Sequence, residues 1–182
     1  MKSDHGVTDA MLASVPNLRA YAISLCRNVD MADDLVQETL LRAWAHIDSF
    51  EPGTNIGAWL FTILRNTFRS EYRKRRRQID DPEGVHAAKL ASQPEQTHRI
   101  QFEELRAALA HLPIDQREAL LLVGASGFSY EQAAQICGCA LGTIKSRVNR
   151  GRIRLAQILT IEGVEDFGPD RAQQAALNSA RR

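Results

Sequence analysis

Apolar residues recur along this chain at spacings of three and four, and no segment sustains the strict alternation of a half-buried strand. Leu18, Tyr21, Ala22 and Leu25 mark one amphipathic helix, and Val36, Leu40, Ala43, Trp44 and Ile47 mark a second. A loop follows from Asp48 to Gly57, with the turn formers Pro52, Gly53 and Asn55. Trp59, Leu60, Ile63, Leu64 and Phe68 then define a third helix that runs on into cations. Further along, Phe102, Leu105, Leu109 and Leu112 lead to Pro113, and the pattern resumes through Ala119, Leu120 and Val123. The run Gly124 to Gly127 reads as a helix stop. Ser129 followed by Gln132 three residues on is a capping-box start for a short helix through Ala133, Ala134 and Ile136. Gly138 supplies a turn, and Ile144 and Val148, four apart, set the buried side of the next helix. The fold class is all-α.

Between these helical stretches lies a segment that packs poorly. Gln78 to His98 contains Asp80, Asp81, Pro82, Gly84, Ser92 and Pro94 and has little periodicity, as expected of a linker. The pattern therefore predicts two small helical domains, residues 1–77 and 99–162, joined by a flexible linker over 78–98. Interdomain geometry in the free chain is expected to vary. Residues 163–182 form a tail, with a short, weakly docked helix expected from Asp170.

Charge changes the picture more than composition does. The net charge of the 182 residues is only +1, yet Asp30, Asp33, Asp34, Glu38, Asp48 and Glu51 gather early while cations crowd two later segments. Opposite charges on separate surfaces imply more than one partner. No apolar run of signal-peptide or transmembrane length is present, so a soluble, cytoplasmic protein is expected. The three cysteines read as small core side chains, and the five histidines are scattered, so neither a metal nor another cofactor is expected. There is no phosphate loop, zinc-ligand series or catalytic triad, which argues against an enzyme.

The two cationic segments carry the candidate chemistry. In the last helix, Lys145, Ser146, Arg147, Asn149, Arg150, Arg152 and Arg154 fall outside the buried stripe, and no acid occurs between Leu141 and Arg154. A helix, a tight turn and a second helix armed in this way fit the major groove of DNA, where such side chains reach phosphates and base edges. At the end of the third helix, Arg65, Arg69 and Arg73 recur every four residues in one row, a spacing suited to a phosphate backbone. The small residues Ala133, Ala134 and Gly138 are expected where helices cross closely.

The stretch ADDLVQETLLRAW from Ala32 to Trp44, with GAWLFTILRNTFRSEYRKRRR from Gly57 to Arg77, resembles region two of bacterial sigma factors. LPIDQREALLLVGASGFSYEQAAQICGCALGTIKSRVNRGRIRL, from Leu112 to Leu155, resembles region four. The compact two-part form is similar to the extracytoplasmic-function (group four) class. The FGPDR ending and the wording of region four resemble the EcfG branch, which directs the alphaproteobacterial general stress response.

That resemblance implies roles residue by residue. The acidic helix would dock on the clamp helices of the RNA polymerase largest subunit through Asp33, Asp34, Gln37, Glu38 and Leu41. The loop and third helix would capture and hold the opened minus-ten element, with Phe50, Asn55, Asn66, Arg69 and Arg73 as the contacts. Region four would read the minus-thirty-five element with Ser146, Arg147, Asn149 and Arg150, with Lys145 and Arg152 nearer phosphates. A GGAAC-type upstream element, a GTT-type downstream element and a NepR-like anti-sigma partner are also implied. The alternatives are a conventional helix-turn-helix regulator, which leaves the acidic helix unexplained, and a sigma-like decoy of the same stress pathway. A decoy of that kind carries a receiver domain, for which the chain is expected to end too early.

Overall fold

The computed structural model describes residues 3–78 and 98–159, and all regular structure among them is helical. The helices are α1 (Ser3–Cys26), α2 (Val29–Ala45), α3 (Ile56–Gln78), α4 (His98–Ala110), α5 (Ile114–Leu120), α6 (Tyr130–Cys137) and α7 (Leu141–Ile158). Most of the expected linker and the tail helix from Asp170 lie outside the described residues.

In the first block, α1, α2 and α3 enclose a core of Leu18, Tyr21, Ala22 and Leu25, Leu35, Val36 and Ala43, and Leu60, Phe61, Leu64 and Phe68. Each fully buried leucine stabilises the block by about 1.5–3 kcal/mol. Asparagines open two of these helices. Met31 N–H donates to Asn28 Oδ1 at 2.9 Å ahead of α2, and Ala58 N–H donates to Asn55 Oδ1 at 3.1 Å ahead of α3. Trp44, grouped by spacing with the buried stripe, is instead 56% exposed. At 100° per residue Ala43 falls in line with Val36, whereas Trp44 is displaced by about 80°, to the edge of the stripe.

The second block folds around Ala119, Leu122, Ala133, Ile136, Ile144 and Val148. The capping box forms: Gln132 N–H donates to Ser129 Oγ at 3.1 Å, and Ser129 N–H donates to Gln132 Oε1 at 3.0 Å. Gly138 takes φ +60 and lets Cys139 N–H reach Ala134 O at 3.0 Å. After α5 the helix widens into a π turn over Leu121–Ala125 and stops before Gly127, whose φ is +73. Arg117 is buried and donates to the carbonyls of Ala110 and Leu112 at 2.8 and 3.1 Å, satisfying the end of α4.

The close crossing falls elsewhere than expected. Ala133 and Ala134 are buried, but Gly138 has open space around it. The tight approach is at Gly151 of α7, where a Cβ would lie 2.8 Å from Leu120 Cδ1 on α5. The two blocks also meet, with α3 lying against α6, Arg65 of α3 paired with Glu118 of α5, and buried residues of both blocks joining one cluster. Phe61 packs on Tyr21 with the rings tilted and their centroids 5.0 Å apart, and meets Phe128 edge-on at 4.9 Å, which carries the aromatic core across the junction. The blocks pack together in this structure; most of the breaker-rich segment from which variable interdomain geometry is expected lies outside the described residues.

Candidate nucleic-acid interfaces

Helix α7 is held by Ile144, Val148, Gly151 and Ala156, all buried. This leaves Lys145, Ser146, Asn149 and Arg150 exposed, with Arg147 and Arg152 half-buried. Arg150 is braced on its own helix: Nη2 donates to Ser146 Oγ at 2.8 Å and Nε to Ser146 O at 3.3 Å. Arg147 leans toward the turn and α5, with Nη1 3.7 Å from Cys139 Sγ and Nη2 3.5 Å from Asp115 Oδ2. The result is an exposed polar ridge of helical pitch, cationic and rich in donors, as a groove-reading helix needs.

Helix α3 presents its cations differently. Arg65 is only 7% exposed and donates through Nε to Glu118 Oε2 at 3.1 Å, across from one block to the other. Arg69 donates to both oxygens of Glu118, at 2.9 Å to Oε1 and 2.7 Å to Oε2, and also to Asp115 Oδ1. The Glu118 hydrogen bonds, with Asp115 adding to them, raise the Arg69 pKa above its ordinary value. Burial pushes the Asp115 carboxyl up, but the Arg69 hydrogen bond and the charges of Arg69 and Arg147 outweigh it and hold it below the usual range. Arg73, third in the row, is exposed and donates to Arg69 O at 3.3 Å.

The loop residues divide by role. Asn55 is exposed but its Oδ1 is committed to capping α3. Phe50 packs on Trp59 at 5.3 Å, beside the start of α3, and Asn66 is exposed on the same helix. The predicted minus-ten set is therefore assembled along one helix and its entry loop, but Arg69 is turned toward the other block.

On α2, Asp33 is paired with Arg19 of α1. It accepts from Arg19 Nε at 2.6 Å and Nη2 at 3.1 Å, and this hydrogen bonding lowers its pKa below the ordinary value. Asp34, Gln37 and Leu41 remain exposed, Leu41 to 67%, and Glu38 accepts from Arg42 Nε at 2.6 Å. Beside them runs a groove of about 380 Å³, lined among others by Cys26, Met31, Asp34, Glu38, Phe68 and Tyr72. The face thus combines acids with accessible apolar surface, suited to a basic, partly apolar helix.

Glu118 and Asp115 are the residues that sequence reasoning missed. The signal was present: Glu118 lies four residues after Ile114 and four before Leu122, so an acid occupies a core-periodic position. An acid at such a position needs a buried cation, and Arg65 supplies it. Among the described residues no cluster of three or more histidines, cysteines or acids could hold a metal, and no helix is long and apolar enough to cross a membrane.

Comparison with known proteins gives these surfaces a context. Residues 11–78 match the sigma-70 region 2 family and residues 102–155 the sigma-70 region 4 family. The chain is 67% identical over 169 residues to the ECF RNA polymerase sigma factor EcfG of Rhodopseudomonas palustris, covering 93% of each protein. The chain belongs to the ECF RNA polymerase sigma factors. It is a transcription initiation factor that binds core RNA polymerase and directs it to promoter DNA. The ECF sigma factor SigC of Mycobacterium tuberculosis is 38% identical over 71% of each chain. Among solved structures, the sigma factor RpoE of Bartonella quintana, crystallised with the anti-sigma factor NepR, matches with a TM-score of 0.77 and 54% identity, covering 85% of this chain and 97% of that one.

Proposed function

We propose that this sigma factor serves the general stress response and works through three surfaces. Helix α7 reads the minus-thirty-five element with Ser146, Arg147, Asn149 and Arg150, while Lys145 and Arg152 hold phosphates. The entry loop and α3 engage the opened minus-ten element through Phe50, Asn55, Asn66, Arg69 and Arg73. Asp34, Gln37, Glu38 and Leu41 of α2, with Asp33 beside them, meet the clamp helices of the polymerase largest subunit. The functional units are residues 1–77 and 99–162. Opening a promoter loses stacking and pairing energy, a few kcal/mol per unpaired step, so the factor must hold the extruded strand better than the duplex. The aromatic pair Phe50 and Trp59 next to Asn55 offers stacking surface for that preference. No bond is made or broken by this chain, which acts in the cytoplasm without a cofactor.

The observation that carries this reading is the exposed ridge of Lys145, Ser146, Asn149 and Arg150 on a helix anchored by Ile144 and Val148. A NepR-like anti-sigma factor keeps the protein inactive; support comes from the 54% identical sigma factor crystallised with NepR. Purified core enzyme plus this chain should initiate on a promoter carrying GGAAC and GTT elements, and no transcript above core enzyme alone overturns the reading. Glu38→Lys should abolish polymerase binding in a pull-down while helix content stays unchanged, because charge reversal on an exposed face harms an interface more than a core.

A further inference from the structure

Two of the three cysteines lie one residue apart, at the turn that leads into the recognition helix. Cys137 ends α6 and is 6% exposed, Gly138 follows with φ +60 and ψ +43, and Cys139 is half-buried. Both are free thiols. A residue with those dihedrals mirrors a helical one, so its flanking Cα atoms lie about 5.4 Å apart, as at i and i+2 of a helix. A disulfide needs roughly 4.4–6.8 Å between them. Gly138 has open space where a Cβ would stand, so the turn has room to re-form around a bond between the sulfurs. The two thiols differ in setting. Burial pushes the Cys137 thiol up to about 11, which keeps it protonated and inert until a reactive sulfur is beside it. Cys139 is accessible, and Arg147 Nη1 of α7 donates to its Sγ at 3.7 Å. A partly exposed sulfur beside a cation is the setting of a reactive cysteine.

We infer that Cys137 and Cys139 are a redox-modifiable pair: peroxide oxidises Cys139, Cys137 resolves it, and the disulfide so formed weakens DNA reading by α7. In the first step the Cys139 sulfur attacks hydrogen peroxide, the O–O bond breaks, and the departing hydroxide takes the thiol proton to leave as water. The Cys137 sulfur then attacks the Cys139 sulfenic acid. The S–S bond forms, the S–O bond breaks, and the Cys137 proton leaves with the hydroxyl as a second water. Two thiols are oxidised and one peroxide is reduced. The bond disturbs the turn because it must draw a core sulfur and a surface sulfur to about 2.05 Å. In the reduced form Cys139 N–H donates to Ala134 O and Gly138 N–H to Gln135 O, both at 3.0 Å, and Thr143 N–H donates to Ala140 O at 2.9 Å where α7 starts. Closing the ring takes Cys137 out of its packing or swings Cys139 away from Arg147, and either shift moves the start of α7 on its support. The effect on DNA rests on the assignment of α7 to the upstream element; the oxidation itself does not.

The test treats the full chain with hydrogen peroxide, alkylates it after unfolding, and digests it with trypsin, which releases residues 118–145 as one peptide holding both cysteines. That peptide should be two hydrogens lighter and escape alkylation, and it should take both labels after dithiothreitol, while Cys26 stays labelled throughout. The oxidised chain, freed of peroxide and assembled with core polymerase, should bind a duplex carrying the upstream element on the order of tenfold more weakly, the worth of one well-placed arginine contact. Dithiothreitol should restore binding. Cys139→Ser should bind as the reduced parent does and ignore peroxide. Full alkylation of both cysteines after peroxide, or a disulfide made through Cys26, overturns the pair. A disulfide between Cys137 and Cys139 with unchanged affinity for the duplex overturns its control of α7. If the reduced parent complex ignores the upstream element, the α7 assignment falls with that control, and the peptide masses alone decide the pair.

Discussion

Helices α3 and α7 each carry a run of cations after an apolar stretch, yet the structure treats them in opposite ways. On α7 the buried positions are Ile144, Val148, Gly151 and Ala156, and Lys145, Ser146, Asn149 and Arg150 point outward. On α3 the charged row itself enters the interior: Arg65 is buried, Arg69 is half-buried, and both bond to acids of the second block. A row of arginines is thus not a surface until the neighbouring elements are known. Both helices are amphipathic, but α3 has packing partners on two sides, α1 and α2 on one and α6 on another, and its arginines reach Glu118 of α5. Helix α7 meets α4, α5 and α6 and leaves one flank open.

Substitutions in the two helices sharpen this contrast. Ile144→Ala should have the largest effect, removing about 2–5 kcal/mol from the second block by leaving a cavity under the recognition helix. Thermal unfolding should show the loss, and binding to the upstream element should fall with it. Arg150→Ala should leave melting unchanged and cost on the order of 1–3 kcal/mol at the upstream element, with relaxed preference at the base it contacts; a competition assay against single-base variants reads this out. Arg73→Ala, the exposed end of the α3 row, should be mildest. It should weaken DNA binding by the polymerase complex roughly equally across sequences and lower the salt dependence by about one phosphate contact. A sequence-selective loss at Arg73 would instead make α3 a reader like α7, and the contrast would break.

Much of the fold was legible because helical periodicity reports which side of a helix is buried. Leu18, Tyr21, Ala22 and Leu25, and later Ile144 and Val148, are buried as their spacing requires. The Ser129 capping box and the Gly138 turn are local devices, complete within a few residues, and both form. Trp44 was misplaced because a stripe has edges, and spacing alone does not say how wide the covering neighbours are. Gly151 was overlooked because a glycine inside a helix signals nothing until the opposing Leu120 is known.

The candidate site divides along the same line. Which residues of α7 face outward follows from the chain itself, since its helical phase is set by its own apolar positions. Which arginines of α3 are accessible depends on Glu118, far away in sequence, and on the ion pairs between α5 and α3. The sequence by itself determined the helices, their caps, their buried faces and the family resemblance, since these depend on neighbours a few residues apart. Only the tertiary structure decided where charge is available, because a charge's state depends on what lies beside it in space, and a carboxylate from another domain can claim an arginine that sequence leaves open.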